Sequence, residues 1–380
     1  MSPTPVTWTS PTAPISYSWE ATDEEVSARY GVPVDEIVRF DLNTSPVPPG
    51  IAARVLAAAR FESPLSEYPP SDYRRLIDAA AVRYEVAREE ILVGAGADEI
   101  LDLAGKAFLP AGSSAVIPTP TYAMYRVVTV QRAARTIAVP RLGAADGWAL
   151  DEPAVREAAR EAAVIWLCSP NNPTALAEPS GTIERLLDGL ASDAAADGRR
   201  PPAVILDEAY AEFVGRSLAY LRASYPRLVV VRTASKAYAL AGLRVGFAIA
   251  VPETIAEIAP YRPPGSVSTV SVTVVTEALL APDALAANLA RVERERGRLA
   301  AGLRDAGLDV GPSVTNFLLV GLRSPERATA VAEGLLARGL VPRTFGAAHP
   351  LSDHLRVTVR DTAENERLIA ATREITAELA

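Results

Sequence analysis

Hydrophobic positions along the chain fall into two textures. In the first, short apolar runs recur at 91–93, 115–117, 163–168, 203–206, 228–231 and 245–251. They are rich in Val and Ile, bounded by Gly, Pro, Asn or Asp, and separated by helical stretches or turns. Runs without an alternating polar face are buried on both sides, as in a parallel or mixed sheet wrapped by helices. Ahead of them, a helical pattern runs from Asp23 to Arg29 and ends at Tyr30-Gly31, a polar turn follows at Asn43-Thr44-Ser45-Pro46, and apolar residues recur at helical spacing from Ser71 to Tyr84.

The second texture begins after Pro260-Tyr261-Arg262-Pro263-Pro264. A long Ala/Arg/Glu helix over about 283–306 leads to a strand at 316–320, a helix at 325–338, a strand at 355–359 and a last helix at 363–379. The pattern predicts an α/β chain. A large domain over 46–258 holds a mainly parallel mixed sheet flanked by helices, and a smaller α+β domain covers 259–380. Residues 1–45 are expected to pack with the smaller domain, with the Pro-rich opening to about residue 16 as a loosely held arm.

Composition narrows the class. The 380 residues are 49% hydrophobic and 22% charged, which excludes wholesale disorder. Against 46 acidic residues stand 38 basic ones, and the net charge of −8 disfavours nucleic acid or an anionic membrane as partner. Cys168 is the single cysteine and His349 and His354 are the two histidines, so neither a disulfide nor a multi-histidine metal site is expected. No apolar run has membrane-spanning length, and the N-terminus lacks the basic and apolar regions of a secretory signal. The expected location is the cytoplasm. Of the 38 basic residues only Lys106 and Lys236 are lysines, so chemistry that needs a primary amine has two candidates. Arginine cannot replace them, because its guanidinium stays protonated.

In open α/β sheets ligands gather at the carboxyl ends of strands. After the run 91–93 comes Gly94-Ala95-Gly96-Ala97-Asp98-Glu99 and then a helix. Small residues entering a helix leave free N–H groups that suit an anion, although a plain tight turn capped by Asp98 accounts for them equally well. After Cys168 comes Ser169-Pro170-Asn171-Asn172-Pro173-Thr174, which alone reads as a Pro/Asn turn. After Leu206 comes Asp207-Glu208-Ala209-Tyr210, where the carboxylate suits a metal ligand, a general base or a partner for a ring nitrogen. After Val231 comes Arg232-Thr233-Ala234-Ser235-Lys236, with Arg244 eight residues on. Lys236 thus falls at the mouth of the sheet, whereas Lys106 lies in an apolar-striped helix and reads as a solvated side chain. An amine, a carboxylate, an Asn, a Tyr and an anion cradle together match pyridoxal 5′-phosphate, which has an aldehyde, a pyridine nitrogen, a phenolic oxygen and a phosphate.

With the segments YPPSDYRRL, GAGADEILDL, PTPTYAMY, SPNNPT, DEAYAEF, RTASKAYALAGLRVGF and LRVTV in order, the chain resembles the fold-type I pyridoxal-phosphate-dependent aminotransferases. Among them it looks most like the histidinol-phosphate aminotransferase family, over nearly the whole chain from about residue 30. The resemblance implies that Lys236 bonds the cofactor's aldehyde and shuttles a proton, that Asp207 pairs with the ring nitrogen, and that Asn172 and Tyr210 bond the phenolic oxygen. It implies that Tyr122 stacks on the ring, and that Ala97 and Asp98 (by backbone N–H), Ser235 and Arg244 hold the phosphate. Tyr68 is expected to reach the phosphate of a second subunit, which implies a homodimer with shared sites. Arg356 is the expected clamp on the donor's carboxylate, Arg343 the candidate for a side-chain anion, and Asn43 lies in a segment lining the substrate side.

The expected activity is a ping-pong transfer of an amino group from a histidinol-phosphate-like or aromatic donor to a 2-oxo acid. Four departures from the family pattern fall on the substrate side: Thr44-Ser45, Ala175 in place of glycine, Gly265-Ser266 in place of an aromatic residue, and Arg360 in place of glycine. The alternatives are a decarboxylase of the threonine-phosphate decarboxylase type, suggested by Ala28-Arg29-Tyr30-Gly31-Val32-Pro33, and a non-catalytic pyridoxal-phosphate-binding protein.

Overall fold

The computed structural model describes residues 6–8 and 15–379, and the chain divides into two compact units. The first comprises 1–17, 49–172 and 177–285, and the second 18–48, 173–176 and 286–380. The expected boundary at 258/259 compares with one at 285/286 in the structure. The helix Thr269–Leu279 belongs to the first unit because it packs on the helices Gly50–Ala58 and Arg74–Tyr84.

In chain order the strands are β1 (Val6–Trp8), β2 (Val38–Arg39), β3 (Ile91–Gly94), β4 (Ser114–Thr119), β5 (Arg135–Pro140), β6 (Val164–Cys168), β7 (Ala203–Asp207), β8 (Leu228–Thr233), β9 (Gly246–Ile249), β10 (Asp309–Val310), β11 (Phe317–Gly321), β12 (Leu340–Val341) and β13 (His354–Thr358). The first unit's sheet has the order β1-β5-β4-β6-β7-β8-β9-β3. Strands β5, β4, β6, β7 and β8 are parallel, while β9 is antiparallel to both β8 and β3. The carboxyl ends of β3, β4, β6, β7 and β8 therefore share one edge.

The apolar runs form the sheet because both faces are covered. Val164, Trp166 and Cys168 enter one core cluster with Ile100, Leu103 and Phe108 of the helix Ala97–Phe108. Ile165 and Leu167, pointing the other way along the same strand, enter a second cluster with Leu186 and Leu190 of the helix Thr182–Ala196. Two strands depart from the expectation. β5 escapes the apolar pattern because it opens on Arg135 and closes on Pro140, and β1, within the stretch expected as a loose arm, pairs antiparallel with β5. The rest of that arm lies outside the described residues.

In the second unit β10, β11 and β13 form an antiparallel sheet, and β12 pairs in parallel with β2. The helices Asp23–Tyr30, Pro282–Asp305, Pro325–Leu336 and Thr362–Glu378 accompany them. Their starts are written locally: Thr22 and Glu25 make a reciprocal capping box, and Ser324 and Asp361 each accept from the third helical N–H. His354 opens β13 beside Asp353. No single helix among the described residues is long and apolar enough to cross a membrane.

Candidate active site

The parallel strands of the first unit deliver their polar residues to one edge. Asp207 closes β7, and its neighbour in register is Cys168, the last residue of β6. The Asp207 carboxylate is buried. Its Oδ2 accepts from the Tyr125 hydroxyl at 2.8 Å and its Oδ1 from the Ala209 N–H at 3.0 Å. Burial pushes its pKa up to about 6, against the pull of those two donors and of the Lys236 charge. Lys236, half-buried three residues beyond β8, holds Nζ 5.9 Å from the Tyr210 ring centroid. Tyr210 and Asn172 are buried at the ends of the neighbouring strands.

Tyr125 was not among the residues singled out from the sequence, although it stands three positions after Tyr122 in PTPTYAMY, one helical turn away. Its ring stacks on Trp166 at 5.6 Å, and the Trp166 indole donates to Thr129, whose hydroxyl donates to the Tyr125 carbonyl. The phenol that orients Asp207 is therefore held from behind. Cys168 beside it is buried, and desolvation pushes its thiol up to about 12, so it is an inert part of the wall.

A second cluster surrounds the start of the helix Ala97–Phe108. The Arg244 guanidinium donates to Asp98 at 3.3 Å, and Tyr122 donates to the other Asp98 oxygen at 3.1 Å. Gly96 has φ +86°, and a Cβ there would lie 2.5 Å from Arg244 Nη2. A Cβ on Gly246 would lie 2.4 Å from the Gly96 carbonyl carbon. The two glycines thus let backbone and guanidinium converge on the N–H groups at the helix start, an arrangement that suits an anion such as a phosphate. Ser235 is buried, its N–H donating to Thr233 Oγ1 at 3.1 Å. Tyr68 is 87% exposed.

Beneath these groups an ion cluster ties the strand ends. Arg232 at the end of β8 reaches Glu208 and Glu212 at 3.2 and 2.6 Å, all three side chains being buried. Glu208 also accepts from Ser217 and from the Leu218 N–H.

The second unit carries Asn43, Arg343 and Arg356. Asn43 is buried with φ 53°; its N–H donates to Thr358 and its carbonyl accepts from Asn316. Arg356 lies on β13 opposite Leu319. Its guanidinium donates to the Asp41 carbonyl and sits 5.5 Å over the Phe317 ring. Arg343 forms an antiparallel bridge with Arg356, and its guanidinium donates to the Ser18 carbonyl at 2.7 Å. The departures from the family pattern form bonds of their own. Arg291 donates to Ser45 and to the Arg360 carbonyl, and Arg360 pairs with Glu364. Ala175 is buried in the left-handed conformation, φ 64°, that ordinarily favours glycine.

The donor set of the first unit fits pyridoxal 5′-phosphate. A cradle that a Cβ would fill suits the phosphate, a buried carboxylate fixed by a phenol suits a pyridinium nitrogen, and an amine lies close enough to that carboxylate to lower its pKa.

The chain compares with known proteins along nearly its whole length. The model of the family "Aminotransferase class I and II" matches residues 38–371. A histidinol-phosphate aminotransferase of Roseiflexus castenholzii is 35% identical over 360 residues, 93% of either chain. Among solved structures, the histidinol-phosphate aminotransferase of Sinorhizobium meliloti in complex with pyridoxal-5′-phosphate superposes with a TM-score of 0.84 at 25% identity, over 96% of each chain. The L-threonine-O-3-phosphate decarboxylase of Porphyromonas gingivalis, at TM-score 0.72 and 22% identity, shares the fold alone. With the family model covering most of the chain and the strand-end groups matching its cofactor, the chain belongs to the class I and II aminotransferases and is a pyridoxal-phosphate-dependent enzyme.

Proposed function

We propose that the enzyme transfers the amino group of a histidinol-phosphate-like or aromatic donor to a 2-oxo acid, with Lys236 as its proton-carrying base. The observation that carries this reading is the placing of Asp207 and Lys236 at the ends of adjacent parallel strands, with Asp207 buried against Tyr125. Bound pyridoxal 5′-phosphate supplies an aldehyde for an amine and a ring that draws off negative charge from the donor's α-carbon. Asp207 holds a proton on the ring nitrogen, since a carboxylate shielded from water interacts strongly with a cation. Lys236 Nζ holds the aldehyde and, when free, takes and returns a proton. Asn172 and Tyr210 bond the phenolic oxygen, and Tyr122 covers the ring. Ala97, Asp98, Ser235 and Arg244 retain the phosphate. Arg356 clamps the donor carboxylate, where a planar fork suits two oxygens.

The same reading assigns the cofactor to a large domain and the donor-side arginines to a smaller one, in a cytoplasmic homodimer whose Tyr68 completes the partner subunit's phosphate site. The relatives that support transamination are 31–38% identical and are named histidinol-phosphate aminotransferases, whereas the decarboxylase alternative rests on the segment Ala28-Arg29-Tyr30-Gly31-Val32-Pro33 and a likeness of fold.

The test is the visible absorption of the purified holoenzyme on addition of donors without a keto acid: histidinol phosphate, then aromatic amino acids, then phosphothreonine. A lasting loss of the cofactor band with one keto product per site is expected from one of the first two. Recovery of the band with release of carbon dioxide would replace transamination by decarboxylation.

A further inference from the structure

Tyr210 is the middle residue of the turn 208–212 that follows β7, and both ends of that turn are buried carboxylates. Glu208 Oε2 accepts from Arg232 Nη1 at 3.2 Å and Glu212 Oε1 from Arg232 Nη2 at 2.6 Å, so one guanidinium holds the two ends with separate arms. Arg232 belongs to β8, four residues before Lys236. The backbone repeats the link, since the Glu208 N–H donates to the Val231 carbonyl at 2.9 Å. Burial works against the Arg232 charge, but the carboxylates of Glu212 and Glu208 more than offset it and hold its pKa above the ordinary value. The two ends are not equally secured. Glu208 also accepts from Ser217 and from the Leu218 N–H, whereas Glu212 Oε2 has no hydrogen-bond partner among the described residues. Side chains alternate along a strand, and Leu228 and Val230, on the same face of β8 as Arg232, enter the core cluster of Leu186 and Leu190. Val229 and Val231 enter the other cluster, with Tyr125 and Trp166. The clamp therefore lies across the sheet from the partners of Asp207. Just past Lys236, the Tyr238 hydroxyl accepts from Arg83 Nε at 2.8 Å, a brace that does not pass through Arg232.

We propose that Arg232 is a positioning residue: by clamping Glu208 and Glu212 it fixes the turn that presents the Tyr210 hydroxyl to the cofactor beside Lys236. The inference rests on the assignment of Tyr210 to the phenolic oxygen made above. The job needs an arginine, because two carboxylates are held by two arms of one planar fork, and a lysine offers a single point. Loss of one arm releases the Glu212 end first, since Glu208 keeps its other two donors. The chain beyond Lys236 keeps its Arg83–Tyr238 brace, so the turn moves and the amine stays. A hydroxyl that donates to the phenolic oxygen stabilises its anionic form. Displacing Tyr210 therefore raises the pH at which the bound cofactor loses its proton.

The experiment is a pH titration of the cofactor's visible band in the full-length holoenzyme without substrate, beside its thermal midpoint. Tyr210→Phe should raise the pH midpoint of the band by about one unit, the worth of one hydrogen bond. Arg232→Lys, which keeps the buried charge, should raise it by roughly half as much and lower the thermal midpoint as well. In the Tyr210→Phe background Arg232→Lys should leave the band where it is while still lowering the thermal midpoint, because its effect on the cofactor passes through the missing hydroxyl. Glu212→Asp keeps both charges and shortens the arm at the less secured end. It should reproduce the shift, and it decides the matter if Arg232→Lys does not fold. A band unmoved by both variants, or moved as far when Tyr210 is already Phe, overturns the Arg232 assignment and leaves the clamp a purely structural one. A band unmoved by Tyr210→Phe overturns the contact of Tyr210 with the phenolic oxygen instead, and the Arg232 assignment falls with it.

Discussion

At the scale of single residues, the amine and the carboxylate carry the sharpest expectations. Lys236→Ala removes the amine proposed to hold the aldehyde and move the proton. The activity should fall by at least about 10³-fold, with the cooperative thermal transition retained. Turnover persisting at about a hundredth of wild type would show that another base serves. Asp207 links function to pH. Its pKa of about 6 lies above the ordinary carboxylate value because burial disfavours the charged form. Between about 4 and 6 the folded cofactor-free protein therefore binds more protons than the unfolded chain, so its stability falls as the pH rises through that window and stays lowered above it. Asp207→Asn removes this titration. In the cofactor-free state the variant should gain stability relative to wild type by up to about 3 kcal/mol as the pH rises from 4 to 7, while its affinity for pyridoxal phosphate collapses. Denaturant unfolding at several pH values checks the first part, and a difference that is flat with pH would mean that Asp207 is ionised throughout.

At the scale of elements, the proposed phosphate cradle depends on backbone contact. β9 passes so close to the entry of the helix Ala97–Phe108 that a Cβ on Gly246 would lie 2.4 Å from the Gly96 carbonyl carbon and 2.6 Å from the Ala97 nitrogen. Neither is a flexible side chain, so Gly246→Ala must push the helix start outward. The expected result is a loss of about 1–3 kcal/mol in urea unfolding and a drop in cofactor affinity of at least about tenfold. An unchanged affinity would place the phosphate elsewhere. The sequence names Gly94-Ala95-Gly96 as a turn or an anion site without deciding between them. The contact with Gly246, 150 residues on, is the observation that supports the second reading. Likewise β5 is obscured by its polar and Pro ends and is recognised only by its register with β4, and Tyr125 reads as one more aromatic of a helix until the fold sets it against Asp207.

At the scale of the whole molecule, the first unit leaves Leu65 and Tyr68 at 68% and 87% exposure in one short segment between helices. Large apolar side chains left in water three residues apart suit a surface that another subunit covers. Sedimentation velocity should give a homodimer, and Tyr68→Phe should weaken cofactor retention without dissociating it. A monomer at micromolar concentration would remove the shared site.

The sequence alone determined that the chain folds as a helix-wrapped sheet, since doubly buried strands declare themselves by apolar runs and their carboxyl ends by Gly, Asn, Asp and Lys. It also determined the cofactor: the residue types at those ends leave few chemistries open, and only two lysines compete for one of them. What tertiary structure decided is how each group is tuned. Asp207 acquires its raised pKa from burial and its orientation from Tyr125, Arg343 pairs with Glu20, and Arg232 joins Glu208 and Glu212 at the strand ends. Each effect depends on distance and exclusion of water between residues remote in sequence, and neither quantity is encoded in local pattern.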